Sequence, residues 1–209
     1  MTVDAIRRNA LKRRRSLSQK ENRRRGKQIQ RQAAQRLRTL DARVVYCYVS
    51  VSPEAPTRQL IKRLRAEGRR VAVPRVEADS TAMRLHELTD MRQLERGRWG
   101  VPVPPLTAPR VPKEALDAAL IPCAAVDSRG NRIGRGGGFH DRFFAEEPRP
   151  RMIGLAFDCQ RTAPFEPMPW DVPLDELIAE SGAFFFQSKQ AAPAVRSYRQ
   201  TTSTKRRPS

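Results

Sequence analysis

Residues 44–74, VVYCYVSVSPEAPTRQLIKRLRAEGRRVAVP, decide the fold. They open on Val44-Val45-Tyr46-Cys47-Tyr48-Val49, a β-branched and aromatic run without polar alternation. A strand of that composition is covered on both faces. Ser50 to Pro56 is a polar turn. Thr57 then stands at the N-cap of a helix whose apolar positions are Leu60, Ile61, Leu64 and Ala66, and Gly68 stops it. Arg70-Val71-Ala72-Val73-Pro74 is the second strand. Strand, helix and strand within about 30 residues form a βαβ unit, which pairs its strands in parallel.

Outward from this unit, 82–88 is a short strand and 97–109 a Pro-rich loop. The runs at 116–125 (LDAALIPCAA) and 152–157 (MIGLAF) are two more buried strands, and Asp141-Arg142-Phe143-Phe144 opens a helix. Upstream, one helix is expected over 3–16 and a second to Leu40, where Ser18 and Glu21 fit a capping box. The fold class expected is α/β: a three-layer α/β/α domain over 1–182 with a mainly parallel, Rossmann-like sheet. Residues 183–209 form a basic tail whose Ser, Thr, Gln and Pro content predicts disorder. Truncation after Gly182 is expected to leave turnover largely intact.

The chain has 209 residues and a formal net charge of +19. Residues 1–40 hold 14 Lys/Arg and two acids, and 183–209 hold six and none, so the ends carry +12 and +6 and the middle only +1. No run approaches the roughly 18 apolar residues of a membrane span. The basic N-terminus has no apolar core of a secretory signal, and it continues as an ordinary helix rather than a transit peptide. Cys47, Cys123 and Cys159 are odd in number and widely spaced, with only His86 and His140 beside them. That pattern excludes a disulfide scaffold or zinc site and points to a reducing cytoplasm. His86 reads as structural, and Cys123 and Cys159 as buried inert thiols.

The sharpest local feature is Asn131-Arg132-Ile133-Gly134-Arg135-Gly136-Gly137-Gly138-Phe139-His140-Asp141. Four glycines in five positions, between a buried strand and a helix, let backbone N–H groups converge on an anion. Arg132 and Arg135 add charge for a polyphosphate, and Asp141 is placed for the Mg²⁺ that accompanies a nucleotide. The bland alternative is a glycine hinge. The pattern is neither G-x-x-x-x-G-K-[ST] nor a clean G-x-G-x-x-G, so alone it names no family.

The stretch GNRIGRGGGFHDRFF resembles the N-R-L-G-x-G-x-G-Y-Y-D-R signature of the 5-formyltetrahydrofolate cyclo-ligase (5,10-methenyltetrahydrofolate synthetase) family. Six more landmarks follow the family's order. They are the basic first helix ending in Leu17-Ser18, Glu54 and Thr57 as E-x-x-T, Trp99-Gly100-Val101-Pro102, Ile121-Pro122, I-G-L-A-F at 153–157, and D-x-x-L-D-x-[LIV]-x-x-E at 171–180. The resemblance implies an ATP- and Mg²⁺-dependent closure of 5-formyltetrahydrofolate, mono- or polyglutamated, to 5,10-methenyltetrahydrofolate by a cytoplasmic monomer. It implies an ATP site at Val3, Arg7 and Arg132-Ile133-Gly134-Arg135-Gly136-Gly137-Gly138-Phe139-His140. Val49, Glu54, Trp99, Arg135 and Phe139 would bind the folate, Asp141 and Asp175 the metal, and Arg135, His140 and Arg7 would act in catalysis.

The sequence departs from the family's pattern at three places. Phe139-His140 replace paired tyrosines: Phe139 keeps a ring for stacking, and His140 keeps a donor that titrates near pH 7. Val3 stands where a basic residue is expected, and Trp170-Asp171 where the family has H-D. Read without the family, Glu54 is a capping or solvated acid, Trp99 plugs a core edge, Asp175 is a surface acid opening a helix, and the basic run 12–15 is a solvated face. Two alternatives therefore stand beside the ligase. One is a catalytically altered paralogue. The other is a nucleic-acid-binding protein using its basic ends, with salt-dependent, non-specific polyanion affinity.

Overall fold

The computed structural model describes residues 1–76 and 82–187, so the tail expected over 183–209 lies outside the described residues from 188 onward. In chain order the elements are α1 (Val3–Arg15), α2 (Gln19–Thr39), β1 (Val44–Cys47), α3 (Arg58–Ala66), β2 (Arg70–Val76) and β3 (Met83–Glu87). Next come β4 (Glu95–Arg96), β5 (Pro102–Val103), β6 (Ala118–Pro122), β7 (Ala125–Val126), β8 (Arg132–Ile133) and α4 (Phe139–Phe144). The last three are β9 (Arg151–Leu155), β10 (Glu176–Ala179) and β11 (Gly182–Phe185).

Seven strands form the main sheet in the order β11-β10-β9-β6-β1-β2-β3. The five inner strands run parallel and the two edges pair antiparallel. The βαβ unit supplies β1 and β2 in register Val45↔Val71. Beyond β2 the chain returns through a link too short for a helical crossover, so β3 must run antiparallel. After β3 the sheet grows on the other side of β1, which puts the topological switch between β1 and β6.

Alternation along the strands separates two cores. Val45, Cys47, Val71, Val73 and Leu120 face Ile29, Ala33 and Leu37 of α2 and Leu60, Ile61 and Leu64 of α3. Tyr46, Ala72, Ala119, Ile121 and Met152 face the other way, toward Phe144 of α4 and Val111, Val172 and Leu174 from loops. The layering is thus asymmetric, with two full helices on one face and a six-residue helix with loops on the other. α1 lies against a third cluster, where Ile6 and Ala10 meet Ala124, Ile133 and Phe165. The Ser18–Glu21 capping box of α2 forms as expected.

Four expectations change. Thr57 precedes α3 but makes no side-chain cap. Its buried hydroxyl donates to the Tyr48 carbonyl at 2.6 Å and accepts from the Ser50 N–H at 3.0 Å, pinning the loop after β1. The segment around Asp175 opens strand β10 rather than a helix. The boundary at 182–183 moves, because Gly182–Phe185 pairs with β10 and the Phe186 ring packs over Gly130. Truncation after Gly182 would therefore remove an edge strand. Finally, Cys159 sits half-buried in the 3₁₀ turn Asp158–Gln160 rather than in an apolar strand, whereas Cys47 and Cys123 are buried.

Candidate active site

A cavity of about 370 Å³ opens at the carboxyl ends of β1, β2 and β6, at the switch point where open α/β sheets bind ligands. Tyr46, Tyr48 and Val49 reach it from β1, Pro74 and Val76 from β2, and Pro122 and Cys123 from β6. The glycine loop closes one side and Trp99 another.

The loop does not follow the buried strand directly. The chain first makes the β7–β8 ribbon, whose turn is held by Asp127: its carboxylate accepts from the N–H groups of Arg129 and Asn131 and from Asn131 Nδ2. β8 then delivers Arg132 to the cavity with its side chain 2 % exposed, paired to Asp141 at 2.7 Å. Gly136 (φ +107°) and Gly138 (φ +60°) take left-handed backbone that a side chain would strain. That conformation turns the chain back toward the cavity before α4 begins. Ile133 points away into the third core, so its part in the loop is its backbone.

Glu54 and Arg135 meet. An ion pair of 3.0 Å joins Arg135 Nη2 to Glu54 Oε1, and Glu54 Oε2 accepts the Val51 N–H at 2.8 Å. The Glu54 side chain is only 10 % exposed, which removes the solvated-acid reading, while Arg135 is half-exposed and free to exchange partners. Phe139 and Trp99 stand edge to face, 5.8 Å between ring centres, with Arg98 4.3 Å over the Trp99 ring. Trp99 is 67 % exposed and has a left-handed backbone (φ 55°). It is therefore a strained aromatic at the cavity mouth rather than a plug for the core.

His140 and Tyr46 share a hydrogen bond of 2.7 Å between Nε2 and the phenol oxygen. Loss of solvation and the neighbouring Arg132 guanidinium push His140 down to about 3. The expected titration near pH 7 is thereby corrected: His140 is neutral through the physiological range.

Arg7 reaches the loop from α1, its Nε donating to the Gly134 carbonyl at 3.0 Å while Nη1 pairs with Asp4. Val3 packs against the third core and stays off the cavity wall. Asp141 lines the cavity, but Asp175 does not: its carboxylate accepts the Met152 N–H at 2.7 Å, where β9 and β10 begin. Among the described residues no cluster of three His, Cys, Asp or Glu is placed to cage a metal ion.

Sequence reasoning missed Arg14. The basic run reads as a solvated face, yet Arg14 is 4 % exposed and lines the cavity beside Tyr48 and Glu54. The available signal was its spacing, two helical turns after Arg7 and one turn after buried Ala10. Tyr46, the partner of His140, was likewise read only as core.

A doubly wound α/β domain with a glycine-rich loop, a buried acid and aromatic walls at its switch point has the arrangement of a small-molecule binding site. The model of the 5-formyltetrahydrofolate cyclo-ligase family matches residues 2–180, and the chain belongs to that family. It is 31% identical over 158 residues to the 5-formyltetrahydrofolate cyclo-ligase of Escherichia coli K12, covering 72% of this chain and 87% of that one. A probable 5-formyltetrahydrofolate cyclo-ligase of Caenorhabditis elegans is 32% identical over 156 residues, covering 68% and 74%. The fold is that of 5,10-methenyltetrahydrofolate synthetase from Aquifex aeolicus (TM-score 0.73, 21% identity, 94% and 98% covered). The enzyme of that name from Mycoplasma pneumoniae is also similar (TM-score 0.69, 22%, 85% and 98%). Among the described residues no helix is long and apolar enough to cross a membrane.

Proposed function

We propose that this chain converts 5-formyltetrahydrofolate to 5,10-methenyltetrahydrofolate, consuming ATP with Mg²⁺ and releasing ADP and phosphate. The observation that carries the reading is the Arg135–Glu54 ion pair, which joins an anion-binding loop to a buried acid suited to a pterin. A carboxylate in that position can accept from the adjacent ring N–H and amino group of a pterin. Val49, Phe139 and Trp99 would flank the ring system, and a mono- or polyglutamated tail would leave past the exposed Trp99.

An amide oxygen leaves poorly, so it must first become a phosphate ester. The bond from the γ-phosphorus to ADP breaks as one to the formyl oxygen forms. N10 then attacks the formyl carbon, the C–O bond breaks, and phosphate departs with that oxygen and the N10 proton. Such a transfer depends on positioning and charge neutralisation. The nest at 134–138 would hold the polyphosphate. Arg135 would leave Glu54 to the pterin and turn to the γ-phosphate, and Arg132 stands behind the loop. Arg7 acts as a positioning residue, fixing Gly134 through its carbonyl. Neutral His140 would offer a hydrogen bond without competing for protons.

Mg²⁺ suits one carboxylate plus substrate phosphates. Asp141 fits: Oδ1 is taken by Arg132 and the Val172 N–H, while Oδ2 has no partner among the described residues. When bound, the ion would shield the phosphate charges. The active unit proposed is a monomer. The exposed Lys20, Arg23, Arg24 and Lys27 on α2 lie apart from the cavity and would attract polyanions only non-specifically. The test is stoichiometry. ADP is expected to appear one for one with methenyl product and only with 5-formyltetrahydrofolate present; ADP release uncoupled from product would sink the reading.

A further inference from the structure

Among the described residues, a buried cation on the cavity wall has no answering partner. Both carboxylates on that wall are committed, Asp141 to Arg132 at 2.7 Å and Glu54 to Arg135 at 3.0 Å. Arg14 is 4 % exposed, lines the same cavity, and makes no side-chain hydrogen bond or ion pair among the described residues. Its Nε is fully enclosed without a partner. Enclosure works most against its charge; Glu54 and Tyr48 favour the charge, while Arg135 and Arg15 work against it. A buried guanidinium without a counter-ion costs stability, and cavity walls tolerate such a group when a ligand supplies the missing charge. α1 holds it there rigidly: Ile6 and Ala10 are buried on the same side, and Arg7, two turns earlier, is tied to Gly134.

We infer that Arg14 is a phosphoryl-binding residue, which receives the phosphoryl group once it has passed from ATP to the formyl oxygen and holds it until phosphate leaves. This rests on the reaction proposed above. Depth favours phosphoryl over a carboxylate of the substrate. Arg14 stands among Tyr48, Glu54 and Arg135, at the end of the cavity where the pterin and formyl group would lie, whereas a glutamate tail leaves through the mouth at Trp99. The planar guanidinium presents paired donors that match a phosphate edge.

The test compares full-length protein with Arg14→Met, which keeps the bulk, and Arg14→Lys. Inorganic phosphate is titrated calorimetrically at fixed ionic strength, so the basic surface contributes equally to all three proteins. Arg14→Met is expected to weaken phosphate binding about tenfold to hundredfold. It should lower kcat by at least about tenfold with the KM for 5-formyltetrahydrofolate within about threefold, and Arg14→Lys should recover part of both. The melting temperature of the unliganded Arg14→Met protein should stay level or rise, because an unanswered charge has gone. Unchanged phosphate affinity and kcat would overturn the assignment, as would a fall in melting temperature that takes both substrates' binding with it. Weaker binding of p-aminobenzoyl-glutamate with phosphate spared would overturn it in favour of the carboxylates. If wild-type protein forms no methenyl product yet loses phosphate affinity in Arg14→Met, the reaction fails and the anion site stands.

Discussion

The two ends of the central sheet handle charge in opposite ways. At the amino ends of the strands, Glu176 is fully buried, yet both oxygens are taken: Arg36 donates through Nε and Nη2 and Arg151 through Nε, each at 2.7 Å. Asp117 nearby accepts the N–H groups of Arg43 and Val44 at 2.7 and 2.8 Å. At the carboxyl ends, among the described residues, Arg14 has no side-chain hydrogen-bond or ion-pair partner, the Arg132 Nε is enclosed without one, and Arg135 is half-exposed on a pair it can leave. The first end is saturated because its work is done once the sheet has formed. The second keeps unanswered donors, as the proposed reading requires of a place where a ligand supplies the acceptors.

That contrast can be broken most forcefully at Asp141. Asp141→Ala is expected to cut turnover per folded molecule by about a thousandfold or more, since charge neutralisation dominates phosphoryl transfer, and to lower the melting temperature as well, because it strands the buried Arg132 guanidinium; retained turnover would move the metal reading elsewhere. At the opposite end, Glu176→Ala should cost about 3 kcal/mol, because it strands two guanidinium groups. Thermal melting should fall several degrees with kcat per folded molecule unchanged, and a loss of kcat at constant stability would erase the distinction between the ends. Arg135→Ala should raise the ATP KM about tenfold with little change in melting temperature, as one charge-assisted contact is lost. Unchanged ATP kinetics would remove Arg135 from the phosphate site.

Acid sharpens the comparison further. His140 is held at about 3, below its unfolded value near 6.5, so between those values the unfolded chain binds a proton the native one refuses. Stability therefore declines as pH falls through that window. Burial would raise Glu176, but the hydrogen bonds from Arg36 and Arg151 outweigh it and set the carboxyl below its ordinary value. The contribution of Glu176 therefore persists until pH drops below about 4. Melting curves from pH 7 to 4.5 should show a gentle loss that His140→Asn abolishes; an identical slope in that variant would contradict the neutral histidine. The smallest effect is expected from truncation after Gln187, which should change melting temperature and turnover by less than about twofold in rate and a degree in stability. Truncation after Gly182 removes β11 and should be plainly destabilising.

The parallel centre of the fold was legible because both faces of β1 and β2 are buried, which writes itself as uninterrupted apolar sequence. β10 was not read as a strand: Glu176 interrupts the run at 176–179, and only its two arginine partners, remote in sequence, make that acid compatible with a sheet. The glycine loop was readable because left-handed backbone demands glycine. Its separation from β6 by the β7–β8 ribbon was not, since two-residue strands carry no period. Arg14 hid in composition: among 14 basic residues in the first 40, nothing local distinguishes the one aimed inward. Asp175, suggested as a metal ligand by register with the family, lies off the cavity wall, and its carboxylate accepts the Met152 N–H where β9 begins.

The most direct test is the absorbance of methenyl-folate when the purified full chain meets 5-formyltetrahydrofolate, Mg²⁺ and ATP, with Asp141→Ala and Glu176→Ala run beside it. The account predicts an ATP-dependent rise that Asp141→Ala loses and folded Glu176→Ala keeps. A flat trace from folded wild-type protein, or a rise that survives Asp141→Ala, would contradict it.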